Sequence, residues 1–192
     1  MERSKVRKRE EIVAQFRDGQ TIAIGGQTAQ YMPERLIDCI LESGARHLCI
    51  YSIDSSDPDI GVSRLIQAGR VDRMITTHVG TDPLTDQRIQ SGRLEVELDP
   101  MGSFIERLRC GGLGLGGALT KTGLGTVVEE GKQTVEIGGE RYLLEPALRA
   151  DIAVTRCRRA DPLGNLSYSG SSGHASHPVI ATCAGLSIVE CD

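Results

Sequence analysis

Short apolar runs rich in β-forming residues alternate with segments of helical periodicity along most of this chain, and this alternation limits the possible folds. The runs at 21–26 (TIAIGG), 47–53 (HLCIYSI), 71–80 (VDRMITTHVG) and 94–100 (LEVELDP) are each followed by a helix-type segment. Strands that alternate with helices in this way form a largely parallel sheet covered by helices. The sequence therefore predicts an α/β fold: an open, mostly parallel sheet with helices on both faces.

Further local patterns make this prediction more specific. An amphipathic helix is expected near the N-terminus, and Pro33 suits the first turn of a second helix that Gly44 would end. Gly138 and Gly139 separate two alternating runs, which is typical of a small β-hairpin. A length of 192 residues without an internal linker predicts a single domain over 1–192.

Composition and charge exclude several classes of protein. Hydrophobic residues make up 39% and charged residues 25% of the chain, as in ordinary globular proteins. The net charge of -4 is spread along the chain, so the basic patch of a nucleic-acid binder is missing. The basic N-terminal segment contains no continuous apolar stretch, which predicts a cytoplasmic protein without a secretory signal or membrane anchor.

Cysteine and histidine spacing predicts no metal site. The six cysteines form no C-x-x-C pair, and we expect them to be buried, reduced thiols. The four histidines show neither an i, i+4 pair nor an H-E-x-x-H motif. Glu106, Arg107 and Arg109 are expected to form a solvated helix face with local ion pairs.

Two glycine patterns call for different interpretations. Gly112, Gly114 and Gly117 fit G-x-G-x-x-G, but they follow a helical segment instead of a strand, which favours a tightly packed connection over a dinucleotide site. Gly25 and Gly26 follow the first predicted strand and precede a helix. Such a junction is typical of anion or carbonyl binding, the alternative being a purely structural turn.

Several long motifs resemble one family. Residues 92–117, 121–154 and 160–168 (ADPLGNLSY) look like the body of A subunits of family I CoA-transferases, such as the acetate/acetoacetate enzymes. The resemblance runs in order from Asp18 to Asp192, and relatives usually continue beyond the final strand. It implies a CoA-transferase-like fold.

The resemblance also implies a set of CoA- or substrate-binding residues. The family's Gly-Gly-Phe and Gly-x-Pro motifs appear within residues 18–33 (DGQTIAIGGQTAQYMP), with Gln27 at the Phe position and Tyr31 at the third Gly position. The implied binding residues are Gly25, Gly26, Gln27, Thr28, Ala29, Gln30, Tyr31, Asp54, Ser55, Met101 and Gly102. We expect Gly26→Val to abolish activity and to leave the fold largely intact, because a branched side chain there would block the ligand.

Two positions in the implied acid pocket depart from the family pattern. Ile53 stands where relatives carry Asn, and Met101 stands where they carry the Gln of Pro-Gln-Gly. Each change removes an amide group that could bind a carboxylate or keto oxygen. If both residues line the pocket, the enzyme should prefer longer or more apolar acids. The alternative is that both are core residues outside the pocket.

The family's chemistry is covalent and ping-pong: the nucleophile that attacks the acyl-CoA thioester is a glutamate of the B subunit. No glutamate of this chain matches that motif, the ones considered being Glu95, Glu97, Glu106, Glu129 and Glu145. The resemblance therefore implies no catalytic residue here, a partner B subunit in AB pairs, and acyl-CoA and carboxylic acids as substrates. It implies no cofactor, because coenzyme A is itself a substrate. Alternatives on the same fold are a noncatalytic ligand-binding or regulatory domain and part of an acyl-CoA hydrolase.

Overall fold

The computed structural model describes residues 4–168 and 176–192, so His174 and most of the Ser- and Gly-rich loop before the last helix lie outside the described residues. The helices are α1 (Arg9–Val13), α2 (Glu34–Ser43), α3 (Gly61–Gln67), α4 (Pro83–Gln90), α5 (Met101–Leu113) and α6 (Ser176–Thr182). The strands are β1 (Thr21–Ile24), β2 (Leu48–Tyr51), β3 (Val71–Thr76), β4 (Glu95–Leu98), β5 (Gly117–Thr120), β6 (Thr134–Ile137), β7 (Glu140–Pro146), β8 (Ala150–Cys157), β9 (Arg159–Ala160), β10 (Leu166–Ser167) and β11 (Ala184–Cys191).

The central sheet has six strands in the order β11-β8-β1-β2-β3-β4. Every pairing within it is parallel. Both faces carry helices, so the predicted α/β fold is confirmed. The predicted hairpin is also present: β6 and β7 pair antiparallel, and Gly138 and Gly139 between them have φ angles of 60° and 78°. Positive φ at both central positions is what a type I′ hairpin turn requires.

The two faces of the central sheet bury different helices. Ile22 and Ile24 of β1 pack with α2 and α3 in one core, whereas Ala23 belongs to a second core with α5 and α6. Successive side chains of a strand point to opposite faces, so a strand buried on both faces reads as a continuous apolar run. That is the run seen in TIAI of β1.

Helix ends agree with the sequence-based expectations, except near the N-terminus. Helix α2 ends at Gly44, whose φ of 78° is left-handed and whose N–H donates to Leu41 O. Helix α1 has only five residues, so the opening helix is shorter than the amphipathic pattern predicts. Ahead of it, the Lys5 N–H donates to Pro162 O at 2.7 Å. This tertiary contact holds the preceding chain outside the helix.

The Gly112–Gly117 segment is a packed connection, as predicted. Gly114 ends α5 with a left-handed φ of 75°, and Gly117 begins β5. A Cβ added to Gly111 would overlap Leu148 O, and one added to Gly117 would overlap Glu145 O. The glycines therefore allow α5 and β5 to approach neighbouring backbone closely.

A buried ion cluster on α5 corrects the prediction of a solvated face. The Arg107 guanidinium, only 8% exposed, donates to Asp99 Oδ2, to Glu97 Oε1 at 2.7 Å and to Pro146 O at 2.9 Å. Lys132 donates to both oxygens of the fully buried Glu145 at 2.8 Å. The expected exposed pair exists only for Glu106 and Arg109, among the three residues named above. Strand β4 supplies Glu97 opposite Arg107, a tertiary placement that helical spacing alone does not reveal.

The six cysteines are all unpaired thiols in the structure. Four are buried, as predicted, and Cys49 and Cys191 are half-buried. Burial raises the pKa of the Cys183 thiol to about 11, which keeps this group protonated at neutral pH. Within the part of the chain that the structure describes, no helix is long and apolar enough to cross a membrane.

Candidate functional site

The candidate site lies at the carboxyl edge of the central sheet, where the loops after β1, β2, β3 and β4 begin. Parallel strands bring their carboxyl ends to the same edge. The chain builds the sheet from β1 outward through β2, and it later places β8 on the other side of β1. The crevice between β1 and β8 is therefore a topological switch point, which is the usual position for a ligand in an open α/β sheet.

Gly25 lies at this switch point against the first turn of α6. Its N–H donates to Val154 O of β8 at 2.9 Å. A Cβ on Gly25 would lie 2.7 Å from Nδ1 of His177 and 3.2 Å from Cγ2 of Thr155. Only glycine lets the imidazole, which is 2% exposed, pack this close to the strand end. Sequence reasoning treated His177 as an isolated histidine and missed this contact.

The loop after Gly25 has a constrained backbone. Gln27 and Gln30 exchange two backbone hydrogen bonds, of 3.1 and 2.8 Å, which closes a tight turn over Thr28 and Ala29. Thr28 and Tyr31 have φ angles of 51° and 54°, and for non-glycine residues this left-handed region is strained. Gln27, Ala29 and Gln30 are exposed at the apex. The loop thus presents a fixed polar turn to solvent or to a partner.

Substitution of Gly26 tests the role of this loop less specifically than the sequence indicated. Its φ of 120° is closed to side-chain-bearing residues, and a Cβ there would overlap the sulfur of Met32. Met32 belongs to the buried core next to α2. Gly26→Val would therefore disturb core packing as well as the loop, so a loss of activity in this variant would not by itself report on the loop.

Asp54 connects this loop to the end of β2. Its Oδ2 accepts the Thr28 N–H at 2.8 Å, and its Oδ1 accepts the Ser56 N–H at 2.9 Å. The residue is only 3% exposed. Burial raises the pKa of the Asp54 carboxyl, and the two N–H donors act in the opposite direction. Ser55, also buried, has its hydroxyl 3.5 Å from the Thr81 hydroxyl of the loop after β3.

The remaining predicted positions have different surroundings. Ile53 is 2% exposed and packs in the same core as Phe104, so it is a core residue and not a pocket wall. Met101 begins α5 and is 38% exposed, and Gly102 has open space around it. The hydrogen bond from the Thr28 N–H joins the Gly25–Tyr31 loop to Asp54. Met101 and Gly102 lie on the same edge after β4, with β2 and β3 between β4 and β1.

Tyr31 and Arg156 lie on either side of the crevice mouth. The Arg156 guanidinium of β8 stands 5.9 Å from the centroid of the Tyr31 ring, within the range of a cation–π contact. The same guanidinium pairs with Asp192 at 2.6 Å. Within residues 4–168 and 176–192, no group of three or more His, Cys, Asp or Glu side chains is arranged to hold a metal ion.

The fold is that of an α/β protein with an open parallel sheet and a glycine pair at its switch point, and comparison with known proteins assigns the family. The model of the family described as Coenzyme A transferase matches residues 6–192. The alpha subunit of an acetate CoA-transferase from Escherichia coli K12 is 49% identical over 177 residues, covering 92% of this chain and 80% of the relative. The chain belongs to the coenzyme A transferase family.

A second relative agrees with this assignment, and a solved structure shares the fold. The acetoacetyl-CoA:acetate/butyrate CoA transferase alpha subunit of Clostridium acetobutylicum is 40% identical, covering 98% of this chain and 86% of the relative. The apoenzyme of the acyl-CoA transferase YdiF from E. coli O157:H7 has a TM-score of 0.87 at 22% identity, over 98% of this chain. The chain spans 42% of that longer protein, so this likeness supports the fold alone.

Proposed function

We propose that this chain is the alpha-type (A) subunit of a heteromeric CoA-transferase that moves CoA between an acyl-CoA and a short- or medium-chain carboxylic or 3-oxo acid. The observation that carries the proposal is the constrained Gly25–Tyr31 loop at the switch point of a chain whose relatives are named as alpha subunits of such enzymes. The N–H groups of Gln27, Thr28 and Gln30 bond within the chain, and other N–H groups of a backbone turn at a strand end can act as donors to a polarised carbonyl.

The proposed chemistry is a ping-pong exchange with the nucleophile on a B subunit. The glutamate carboxylate of that partner attacks the thioester carbonyl, and the C–S bond breaks to give a mixed anhydride and the CoA thiolate. The thiolate then attacks the glutamyl carbonyl, which releases the first acid and leaves a glutamyl-CoA thioester. The acceptor acid reverses these steps and leaves as the new acyl-CoA.

This chain's part in that reaction is to shape one wall of the pocket. The carboxylate nearest the loop, Asp54, is buried and accepts backbone N–H groups with both oxygens, so it is not positioned as a nucleophile. The exposed apex residues Gln27 and Gln30 face outward, where a partner or ligand can reach them. Met101 and Gly102 are proposed to extend the wall along the sheet edge.

A second candidate is a reaction other than transfer on the same scaffold. The decarboxylase AibA/AibB matches this chain with a TM-score of 0.82 at 25% identity, over 100% of this chain and 75% of that one. One fold can host several chemistries, and the site decides between them. Decarboxylation should therefore be measured beside transfer, together with hydrolysis of acyl-CoA, which releases CoA without an acceptor acid.

The test is reconstitution with the partner subunit. CoA exchange is measured from acetoacetyl-CoA or butyryl-CoA to acetate, using the purified chain alone and then with a co-purifying B subunit identified by mass spectrometry. We expect no exchange by the chain alone, exchange with the partner, and parallel initial-velocity lines from the ping-pong order. Turnover by the isolated chain, or CoA release that is independent of acetate, would refute the proposal.

A further inference from the structure

We propose that Asp54 is a positioning residue, whose carboxylate holds the turn at residues 27–30 in its strained conformation through the Thr28 N–H. The role in activity rests on the proposed function, whereas the effect on loop conformation does not. The geometry is direct: Asp54 Oδ2 lies 2.8 Å from Thr28 N, and no contact with ligand is needed.

The turn needs such a support because its backbone is unfavourable. Thr28 is β-branched and has a φ of 51°, a region that β-branched residues seldom occupy. The two hydrogen bonds between Gln27 and Gln30 close the turn, but they leave the Thr28 N–H pointing away from it. The Asp54 carboxylate satisfies that donor and so favours the left-handed conformation.

A carboxylate suits this position better than an amide. Two backbone N–H groups, of Thr28 and Ser56, converge on Asp54, one on each oxygen. A carboxylate accepts on both atoms, whereas an asparagine would place an NH₂ donor against one of the two N–H groups. In Asp54→Asn we expect the side-chain oxygen to keep the bond from the Ser56 N–H, two residues away in the chain, and the bond from the Thr28 N–H to be lost. Only the bond to Thr28 depends on the approach of a loop that is distant in the sequence.

Asp54 is itself anchored on the side away from the loop. The Thr81 hydroxyl donates to Ser56 O at 2.6 Å, and Asp54 forms an isolated parallel bridge with His78. Ser56 Oγ accepts the Val62 N–H at the start of α3 at 3.2 Å. The segment that carries the carboxylate is therefore bonded to the loop after β3 and to α3. This fixes the position of Asp54, from which it can hold the loop after β1.

The first experiment measures amide hydrogen exchange of the full chain in Asp54→Asn and in Asp59→Asn. Asp59 is an exposed aspartate of the same loop with a φ of 64°, which asparagine tolerates, so it is the matched control. We expect peptides covering residues 26–31 to exchange about tenfold faster or more in Asp54→Asn only, since a charge-assisted hydrogen bond is lost. Peptides from β1 and β8 should keep their protection. Unchanged exchange at 26–31 would overturn the proposal.

The second experiment uses Thr28→Gly. This substitution removes the β-branched side chain that makes the left-handed backbone at position 28 unfavourable, and with it the need for the Asp54 hydrogen bond. When the chain is in complex with its B partner, Asp54→Asn should lower kcat by about 10- to 100-fold in the Thr28 background. In the Thr28→Gly background the same substitution should lower kcat much less, because glycine adopts the left-handed region without help. Equal losses in the two backgrounds would overturn positioning through Thr28. A wild-type complex without transfer would refute the proposed function, and hydrogen exchange would still decide the role of Asp54.

Discussion

Ile53 and Met101 occupy the two positions where family resemblance implies amide side chains, and their surroundings differ. Ile53 lies in the core, where an amide would be buried, while Met101 is exposed at the carboxyl edge of the sheet. Of these two residues, only Met101 is therefore placed where it can contact a substrate. An apolar side chain discriminates acids methylene by methylene, at about 1–3 kcal/mol each, and offers no hydrogen bond to a carboxylate.

Met101→Gln is expected to shift the preference of the reconstituted enzyme from longer straight-chain acids toward acetate and acetoacetate. The measurement is kcat/KM for a series of straight-chain acids, with Leu98→Gln as control, since Leu98 is an exposed residue at the end of β4 that was not assigned to the pocket. A wild-type preference for acetate, or an unchanged ranking in Met101→Gln, would exclude Met101 from the acid pocket.

The buried carboxyl of Asp54 predicts a pH-dependent contribution to stability. Burial raises its folded-state pKa above the unfolded value of about 3.9, with nearby Asp57 acting in the same direction and His78 in the opposite one. A raised pKa means that the stabilising contribution is fully present below the unfolded value. It is lost as the pH rises through the folded value, because folding then buries a charge whose desolvation outweighs the two N–H bonds that the carboxylate accepts.

We therefore expect the free energy of unfolding of the wild type, minus that of Asp54→Asn, to fall as the pH rises above about 4. Urea unfolding of both proteins at several pH values between about 4 and 7 measures this difference. Asp59→Asn sets the baseline for removing a surface carboxylate. A difference between wild type and Asp54→Asn that stays constant over the range would contradict the prediction.

At the scale of elements, α5 depends on the close approach of Gly111 to the chain before β8. A Cβ at Gly111 would overlap the Leu148 carbonyl oxygen. The Leu148 N–H donates to Arg107 O, which holds this stretch of backbone in place. Gly102, in the first turn of the same helix, has nothing within reach of a Cβ. Substitutions at the two glycines therefore distinguish the effect of close packing from the effect of helix propensity.

Gly111→Ala is expected to destabilise the protein by about 1–3 kcal/mol through overpacking. Gly102→Ala should be neutral or stabilising by up to about 1 kcal/mol, because alanine is the better helix former. Both values come from urea unfolding at one pH. If the two variants are equally stable, α5 does not lie against the Leu148 backbone as described.

Elements and their order could be predicted from the sequence, whereas the details of the site could not. Apolar runs such as TIAI and the cap at Gly44 reflect local preferences for a strand and for a helix end, and the structure has a strand and a helix end at these positions. The strained turn at Thr28 opposes local preference and exists because Asp54, 26 residues later, accepts its N–H. Likewise the contact between Gly25 and His177 joins positions that only the sheet order brings together. Interactions of this kind leave no periodic signal in the sequence.

At the scale of the whole molecule, a cluster of ion pairs connects the small sheet to the large one. Arg107 of α5 binds Glu97 of β4, Asp99 beyond it and the Pro146 carbonyl of β7. Lys132, ahead of β6, binds Glu145 of β7 and lies 3.7 Å from Asp99. The β5-β7-β6 sheet is therefore joined to the β4–α5 corner by a cluster of ions in which Arg107, Asp99 and Glu145 are buried.

Removing one member of this cluster should cost far more than removing a surface charge from the same helix. Arg107→Met leaves Asp99, whose pKa burial already raises, without its main partner, and breaking a buried ion pair in this way costs about 3–5 kcal/mol. Arg109→Met is the matched control: Arg109 pairs with Glu106 across an exposed helix face, and such pairs contribute about 0–1 kcal/mol.

Urea unfolding measures the loss of stability in both variants. Hydrogen exchange should show that β5, β6 and β7 lose protection in Arg107→Met before the central sheet does. If Arg107→Met is as stable as Arg109→Met, the ion cluster does not hold the two sheets together.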